Sequence, residues 1–242
     1  MKLRKLKNLF NNLFEKIIKI EDSQGKEKYK DIKINNEIDN TYQIIKKDVN
    51  TDLENMADNT IKGMYDTLKR YKKLRRKGQY SLSGRTLSKK EIDIQKAERK
   101  ALIEARIKGK NTNDRLDRNK TKLKKDVKQI RKNKDQKPLK QRFGQEYRRT
   151  KNTIKNDSHR IKEKIKNYLF DKLVKNFDIE KVWHCTFRNS RDAHIEMHEQ
   201  IADKDGYFYA PTGERTKSPG NFGIAKLDIN CHCYVTIRRK TE

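Results

Sequence analysis

Apolar residues recur at threes and fours along most of the chain, with lysine, arginine, acidic residues and asparagine between them. Over residues 2–20 the stripe is Leu6, Leu9, Phe10, Leu13, Phe14, Ile17 and Ile18, with Lys2, Arg4, Lys5, Lys7 and Lys19 mostly off it. That spacing predicts an amphipathic helix. A basic helix of this kind either lies on a membrane surface or docks on a partner helix. Asp22-Ser23-Gln24-Gly25 breaks the pattern. From about Asn36 to Leu74 the apolar positions are Ile38, Tyr42, Ile45, Val49, Leu53, Met56, Ile61, Met64, Leu68 and Tyr71, with one slip near Asn59. This predicts a long helix of coiled-coil character, which Gly63 weakens only locally.

Arg75-Arg76-Lys77-Gly78 is expected to end that helix, and Tyr80–Thr86 reads as a Ser/Gly loop. Ser88-Lys89-Lys90-Glu91 fits a capping box opening a helix through Ile92, Ala97, Ala101, Leu102 and Ala105. Gly109, Asn111 and Asn113 predict its stop. Residues 114–134 carry only Leu116, Leu123, Val127 and Ile130 as a seam among lysines. A seam that thin needs a covering surface: another helix, another subunit or nucleic acid. Pro138 marks the next boundary, and Phe143, Tyr147, Ile154, Ile161, Ile165, Tyr168, Leu169, Leu173 and Phe177 predict a second long helix.

After Asp178 the period changes. Lys181–Phe187 reads as a short strand and Arg191 to Ile201 as a helix, with turn signals at Asp205-Gly206, Thr212-Gly213 and Ser218-Pro219-Gly220-Asn221. Tyr207-Phe208-Tyr209 is strand-like, and Tyr234–Ile237 alternates as a closing strand. The expected fold class is mainly α, with long extended helices of coiled-coil character and a small C-terminal α+β module. The expected domains are a basic elongated helical body, 1–180, and the module, 181–242.

Composition sharpens this picture. Of 242 residues, 32% are hydrophobic and 40% charged, which favours an extended helical shape over a round core. The net charge is +28; residues 1–180 hold 52 basic and 26 acidic residues, a net of +26. A block that basic attracts polyanions through phosphate contacts that carry no base specificity. The competing explanation is the lysine and asparagine bias of an AT-rich genome. The candidate DNA-contacting residues lie in the dense basic region 70–166: Lys72, Arg75, Arg76, Lys77, Lys122, Lys124, Lys125, Arg148, Arg149 and Lys151. No apolar run of 18 residues occurs, so no transmembrane segment is expected. The basic N-terminus lacks the apolar core and cleavage site of a secretory signal. Three cysteines cannot all be paired in disulfides, and the count suits a reducing cytosol.

Rare residues gather at the C-terminal end, where residues 181–242 hold all three cysteines, the only tryptophan and four of the five histidines. Trp183, Arg191-x-x-His194, Pro219-Gly220 and Asn230-Cys231-x-Cys233, in that order, resemble the phage Mu F-like minor head protein family over residues 181–237. His232 stands where the family usually has arginine, and Arg188 and Asn189 replace a common acidic residue. The resemblance implies a low-copy head-morphogenesis protein of a tailed phage. Such a protein associates with portal, major capsid or scaffold proteins, and lies inside the head or at the portal vertex after assembly in the host cytoplasm. Double-stranded DNA, bound non-specifically, is the partner expected of the basic body, and its long helices admit self-association.

One question of chemistry stays open at the level of sequence. Cys231 and Cys233, two apart, face one side of an extended segment. His194 and His198, four apart, share a helix face, and the four together suit a tetrahedral structural zinc site, with Cys185 or His232 as substitutes. Against this, C-x-C is tighter than the usual C-x2-C, and buried cysteines often serve as small core hydrophobes. No H-E-x-x-H is present and nothing activates one thiol, so no enzymatic activity is expected and no catalytic residue is assigned. The alternatives are a non-specific nucleic-acid-binding protein with a zinc-stabilised module and, behind it, a nuclease or toxin.

Overall fold

The structure is a computed structural model describing residues 3–67, 89–131, 136–174, 178–187 and 190–240. It is mostly helical. Four long helices come first: α1 (Leu3–Asp22), α2 (Glu27–Thr67), α3 (Lys89–Arg131) and α4 (Gln136–Leu173). The terminal module follows as β1 (Ile179–His184), α5 (Asp192–Glu196), β2 (Phe208–Tyr209), β3 (Arg215–Thr216), α6 (Ala225–Asp228) and β4 (Tyr234–Arg239). Mainly α with a small α+β module is therefore the observed class. Leu68, Tyr71, Lys72, Leu74, Arg75, Arg76, Lys77, the Tyr80–Thr86 stretch, Ser88, Phe177, Arg188 and Asn189 lie outside the described residues. Among those described, no helix is long and apolar enough to cross a membrane. The chain divides into two compact units, residues 1–53 with 108–157, and 54–107 with 158–242.

In the first unit the α1 stripe is buried at Leu6, Phe10, Leu13 and Ile17. Phe10 meets the rings of Tyr42 and Tyr147 edge-on, and Phe14 meets Phe143. The stripe thus docks on helices of its own chain. The same is true of the thin α3 seam, whose Leu116, Leu123 and Val127 are all buried.

The expected helix stop at Gly109 does not occur, and α3 runs through Gly109, Asn111 and Asn113 unbroken. Tertiary contacts override the local signal there. A Cβ at Gly109 would sit 3.3 Å from Leu53 Cδ1, so the glycine admits close packing rather than a cap. Thr112 Oγ1 donates to Lys108 O and Asp157 Oδ2, each at 3.1 Å, and Asn113 Nδ2 donates to Asn50 Oδ1 at 3.0 Å. Pro138 sits in the first turn of α4, where a missing N–H costs nothing.

The core of this unit encloses the carboxylate of Glu146 completely. Glu146 accepts from Tyr42 Oη at 3.0 Å and pairs with Arg149 at 2.9 Å and Arg142 at 3.7 Å. Burial pushes the Glu146 carboxyl up despite these donors. Nearby surfaces are laced by ion pairs. Lys120 and Lys124 reach Asp39 at 3.1 and 2.7 Å, and Lys46 reaches Asp117 at 2.5 Å. Burial alone would raise Asp39 and Asp117, but these ammonium groups hold both carboxyls low.

In the second unit, α3 presents Ala97, Ala101 and Ala105, and α4 buries Ile161, Ile165, Leu169 and Leu173. The module is organised on β1. Along one edge β4 pairs antiparallel, from Ile179 with Arg239 to His184 with Tyr234. Along the other, Trp183 N–H donates to Gln200 O at 2.9 Å and Ala202 N–H to Lys181 O at 3.0 Å, with a bridge from Val182 to Ile201. The two-residue strands β2 and β3 form a separate hairpin.

Candidate functional site

Trp183, fully buried, is the hub of the module. Its indole meets His194, Phe208 and Phe222 edge-on at centroid distances of 5.9, 5.3 and 6.0 Å. Met197, Leu227, Cys231, Cys233 and Val235 complete the cluster, with Cys185 at its edge. Alternation places the cysteines: Cys231 and Cys233 are buried, while His232 between them is exposed.

The other residues singled out by their order each have a structural task. Arg191 donates to the carbonyls of Leu227 and Ile229, covering the C-terminal end of α6. Gly220 has φ +70, and a Cβ there would sit 3.2 Å from Arg160 Cγ and 3.9 Å from Cys231 Cβ. Only glycine fits that approach without strain. Asn230 takes φ 56, a left-handed turn that asparagine tolerates, immediately before Cys231. Asp228, which the sequence did not single out, accepts from the N–H groups of Phe222 and Gly223 at 2.7 and 2.8 Å. Pro219 is buried in the same loop, and its carbonyl accepts from Asn221 Nδ2 at 2.9 Å.

The four expected metal ligands are not brought together. Helix α5 stops at Glu196 and the chain leaves it in a turn in which His198 N–H donates to Ile195 O at 2.9 Å, so His194 and His198 diverge. His194 stays buried with Cys231 and Cys233, the ligand atoms of the three lying within 4.8 Å of one another. His198 joins His184 and Glu199 in a second, more exposed group, where its Nδ1 accepts the Cys185 N–H at 3.1 Å. His184 donates to or accepts from Thr236 Oγ1 at 2.8 Å and stacks on Tyr234. Burial, then His198, hold the His184 imidazole below its ordinary value.

Around the buried group the two thiols divide their protons unequally. Cys231 is pulled down by the Cys233 S–H it accepts, helped by His159 and His194, while Cys233, as donor, is pushed up. His194 Nδ1 lies 3.6 Å from Cys233 Sγ. The Nε2 atoms of His194 and His159 and the Nε1 of Trp183 are buried without hydrogen-bond partners.

His159 belongs to a stripe on α4 that faces the module and that the sequence reading missed. Glu163 accepts the Val235 N–H at 2.9 Å and the Lys166 ammonium at 2.8 Å; Lys166 in turn donates to Val235 O at 2.9 Å. Arg160 lies 3.9 Å from Asp228. Lys181 is also new: its side chain is fully buried, and its ammonium donates to Asn167 Oδ1, Gly206 O and Lys217 O at 2.6, 2.8 and 2.9 Å. The available signal was the i, i+4, i+7 spacing of His159, Glu163 and Lys166, a polar stripe beside the apolar one.

Of the candidate DNA-contacting residues described, Lys122, Lys125 and Arg148 are exposed. Lys124 is engaged with Asp39, Arg149 with Glu146, and the Lys151 ammonium lies 5.9 Å from the Tyr147 ring centroid. No protein-family model, curated protein or solved structure matches the chain.

Proposed function

We propose that the protein is a minor head protein of a tailed phage. In this reading the terminal module docks on portal, capsid or scaffold proteins, and the basic helices meet packaged DNA. One observation supports it above others. Trp183, Arg191, His194, Pro219, Gly220, Asn230, Cys231 and Cys233 are spread over fifty positions of sequence. In the fold they act in one small unit: the hub, a helix end, two obligatory turns and the thiol pair. An ordered set whose members each hold the module's shape is a structural signature, which is what a docking module requires. The excess of +26 on residues 1–180 supplies the electrostatic half of the role.

The test is co-expression with the portal and capsid proteins of the same genome, followed by isolation of procapsids. Co-sedimentation that Trp183→Ala or deletion of 181–242 abolishes is the expected result. A chain that folds yet never enters procapsids would sink the reading.

The second reading, a nucleic-acid-binding protein with a metal-stabilised module, is favoured by the thiol–imidazole cluster and by the exposed Lys122, Lys125 and Arg148. A duplex-binding titration against salt separates the two. Affinity that falls steeply with salt and survives deletion of 181–242, without procapsid entry, selects it.

A further inference from the structure

We propose that the second unit carries a structural zinc site formed by Cys231, Cys233, His194 and His159. The inference is independent of the head-protein reading. Zinc bound tetrahedrally, with sulfur about 2.3 Å and nitrogen about 2.0–2.1 Å away, separates a sulfur from a nitrogen ligand by about 3.5–3.6 Å. Cys233 Sγ and His194 Nδ1 are 3.6 Å apart, and Cys231 Sγ completes a triangle with every side within 4.8 Å.

A thiol–imidazole hydrogen bond accounts for that single distance but leaves the rest of the polar inventory unexplained. Two thiols and the His194 imidazole adjoin one another inside a cluster otherwise built of Trp183, Met197, Phe208, Leu227 and Val235, and the half-buried His159 interacts with Cys231 at its border. His159 keeps a buried Nε2 without a partner, and such an atom costs about 1–3 kcal/mol. An apolar core that encloses two thiols and an imidazole, with a second, unpartnered imidazole beside them, is better explained by a ligand they share than by hydrogen bonding among them.

Two thiols and two neutral imidazoles also give the correct charge. Zn2+ displaces both thiol protons to solvent, and the dication with two thiolates is a neutral group that can be buried without a counterion. His159 is the fourth ligand in preference to Cys185 because its Nε2 is buried without a partner, whereas the Cys185 sulfur has one in the Phe187 N–H at 3.5 Å. The origin of the ligands explains the site's purpose. His159 comes from the long helix α4, His194 from the five-residue α5, and the cysteines from the turn into β4. One ion therefore fastens three segments to one another, a task suited to a small module with a limited core.

The full-length protein, purified from zinc-supplemented medium without an affinity metal, should contain one equivalent of zinc by mass spectrometry. Cobalt exchanged into it should give tetrahedral d–d absorption with a thiolate charge-transfer band. His159→Gln should weaken cobalt binding by on the order of 100-fold or more, beyond what loss of a supporting hydrogen bond causes. Cys231→Ser should abolish the charge-transfer intensity of one thiolate, and circular dichroism of each variant reports whether it has folded. A metal-free wild type that gives no cobalt spectrum overturns the site. Metal binding untouched by His159→Gln but lost in Cys185→Ser overturns the assignment of His159 and makes the site three-thiolate.

Discussion

Lys181 gives the sharpest quantitative prediction. Its side chain is fully buried between β1 and α4, with the ammonium 4.9 and 5.3 Å from the ring centroids of Phe170 and Phe208. Burial lowers its pKa from 10.5 to about 8, opposed in part by Asp171 and Asp203 and reinforced by Lys217. The unfolded chain holds the proton up to about pH 10.5, while the folded chain releases it near pH 8. Between those values the unfolded state binds more protons, so raising the pH favours folding. Each pH step there is worth about 1.4 kcal/mol, so the full window amounts to about 3 kcal/mol.

Replacing the lysine by methionine keeps the volume and removes the titration. At neutral pH the substitution frees the cost of the buried charge but leaves three carbonyl oxygens without a donor, at about 1 kcal/mol each. The two effects nearly cancel, so a single-pH measurement is uninformative. The difference between pH profiles isolates the charge, because all other lysines titrate alike in both proteins. Urea unfolding at pH steps from about 7 to about 10.5 should show the wild type gaining about 3 kcal/mol on Lys181→Met. A difference that stays flat across that range refutes the assignment of a buried, charge-destabilised lysine.

Three further outcomes follow from the geometry. Gly220→Ala combines a left-handed backbone with a contact at 3.2 Å, whereas Gly213→Ala (φ +94) meets nothing within 4 Å; both should lose about 1–2 kcal/mol for the backbone, with Gly220→Ala losing clearly more by thermal unfolding. Asp228→Ala strips the acceptor from the Phe222 and Gly223 N–H groups and should cost about 2–3 kcal/mol, while Asp228→Asn, which retains one acceptor, should cost about half. Tyr42→Phe removes a hydroxyl donor to the buried Glu146 and should lower stability by about 1–2 kcal/mol, measurable as a shift in urea midpoint at constant slope. A neutral Tyr42→Phe would show that Arg149 and Arg142 suffice for that carboxylate.

The helices were legible because their signal is periodic and many residues repeat it: Leu6, Phe10, Leu13 and Ile17 are buried at the spacing that predicted them. Gly109 misled because a glycine's meaning depends on what approaches it, and Leu53 is more than fifty positions away. The module's strands and turns were readable from Trp183, Gly220 and Tyr234, residue types with narrow conformational uses. The ligand set was only half readable. His194, Cys231 and Cys233 stood out as rare residue types, but spacing alone implied that His198 shared the helix face of His194. The early end of α5 at Glu196, which no capping residue in the sequence announces, removed it. His159 and Lys181 were hidden among ordinary charged residues, and only the packing of α4 against the module gives them meaning.

The pairing of β1 with β4 bears on the order in which the chain acquires its structure. Ile179 bonds with Arg239, sixty positions on, so the sheet cannot nucleate from its neighbours as a hairpin does. Closing the roughly fifty-residue connection costs about 3 kcal/mol in chain entropy before the first ladder bond returns anything. The long helices need only contacts a few residues apart and form far sooner. The second unit is therefore expected to fold in two stages, with Trp183 and Cys233 still accessible after α4 is helical. During that interval the thiols are open to metal and to oxidant alike, and whichever arrives first is sealed in when β4 docks.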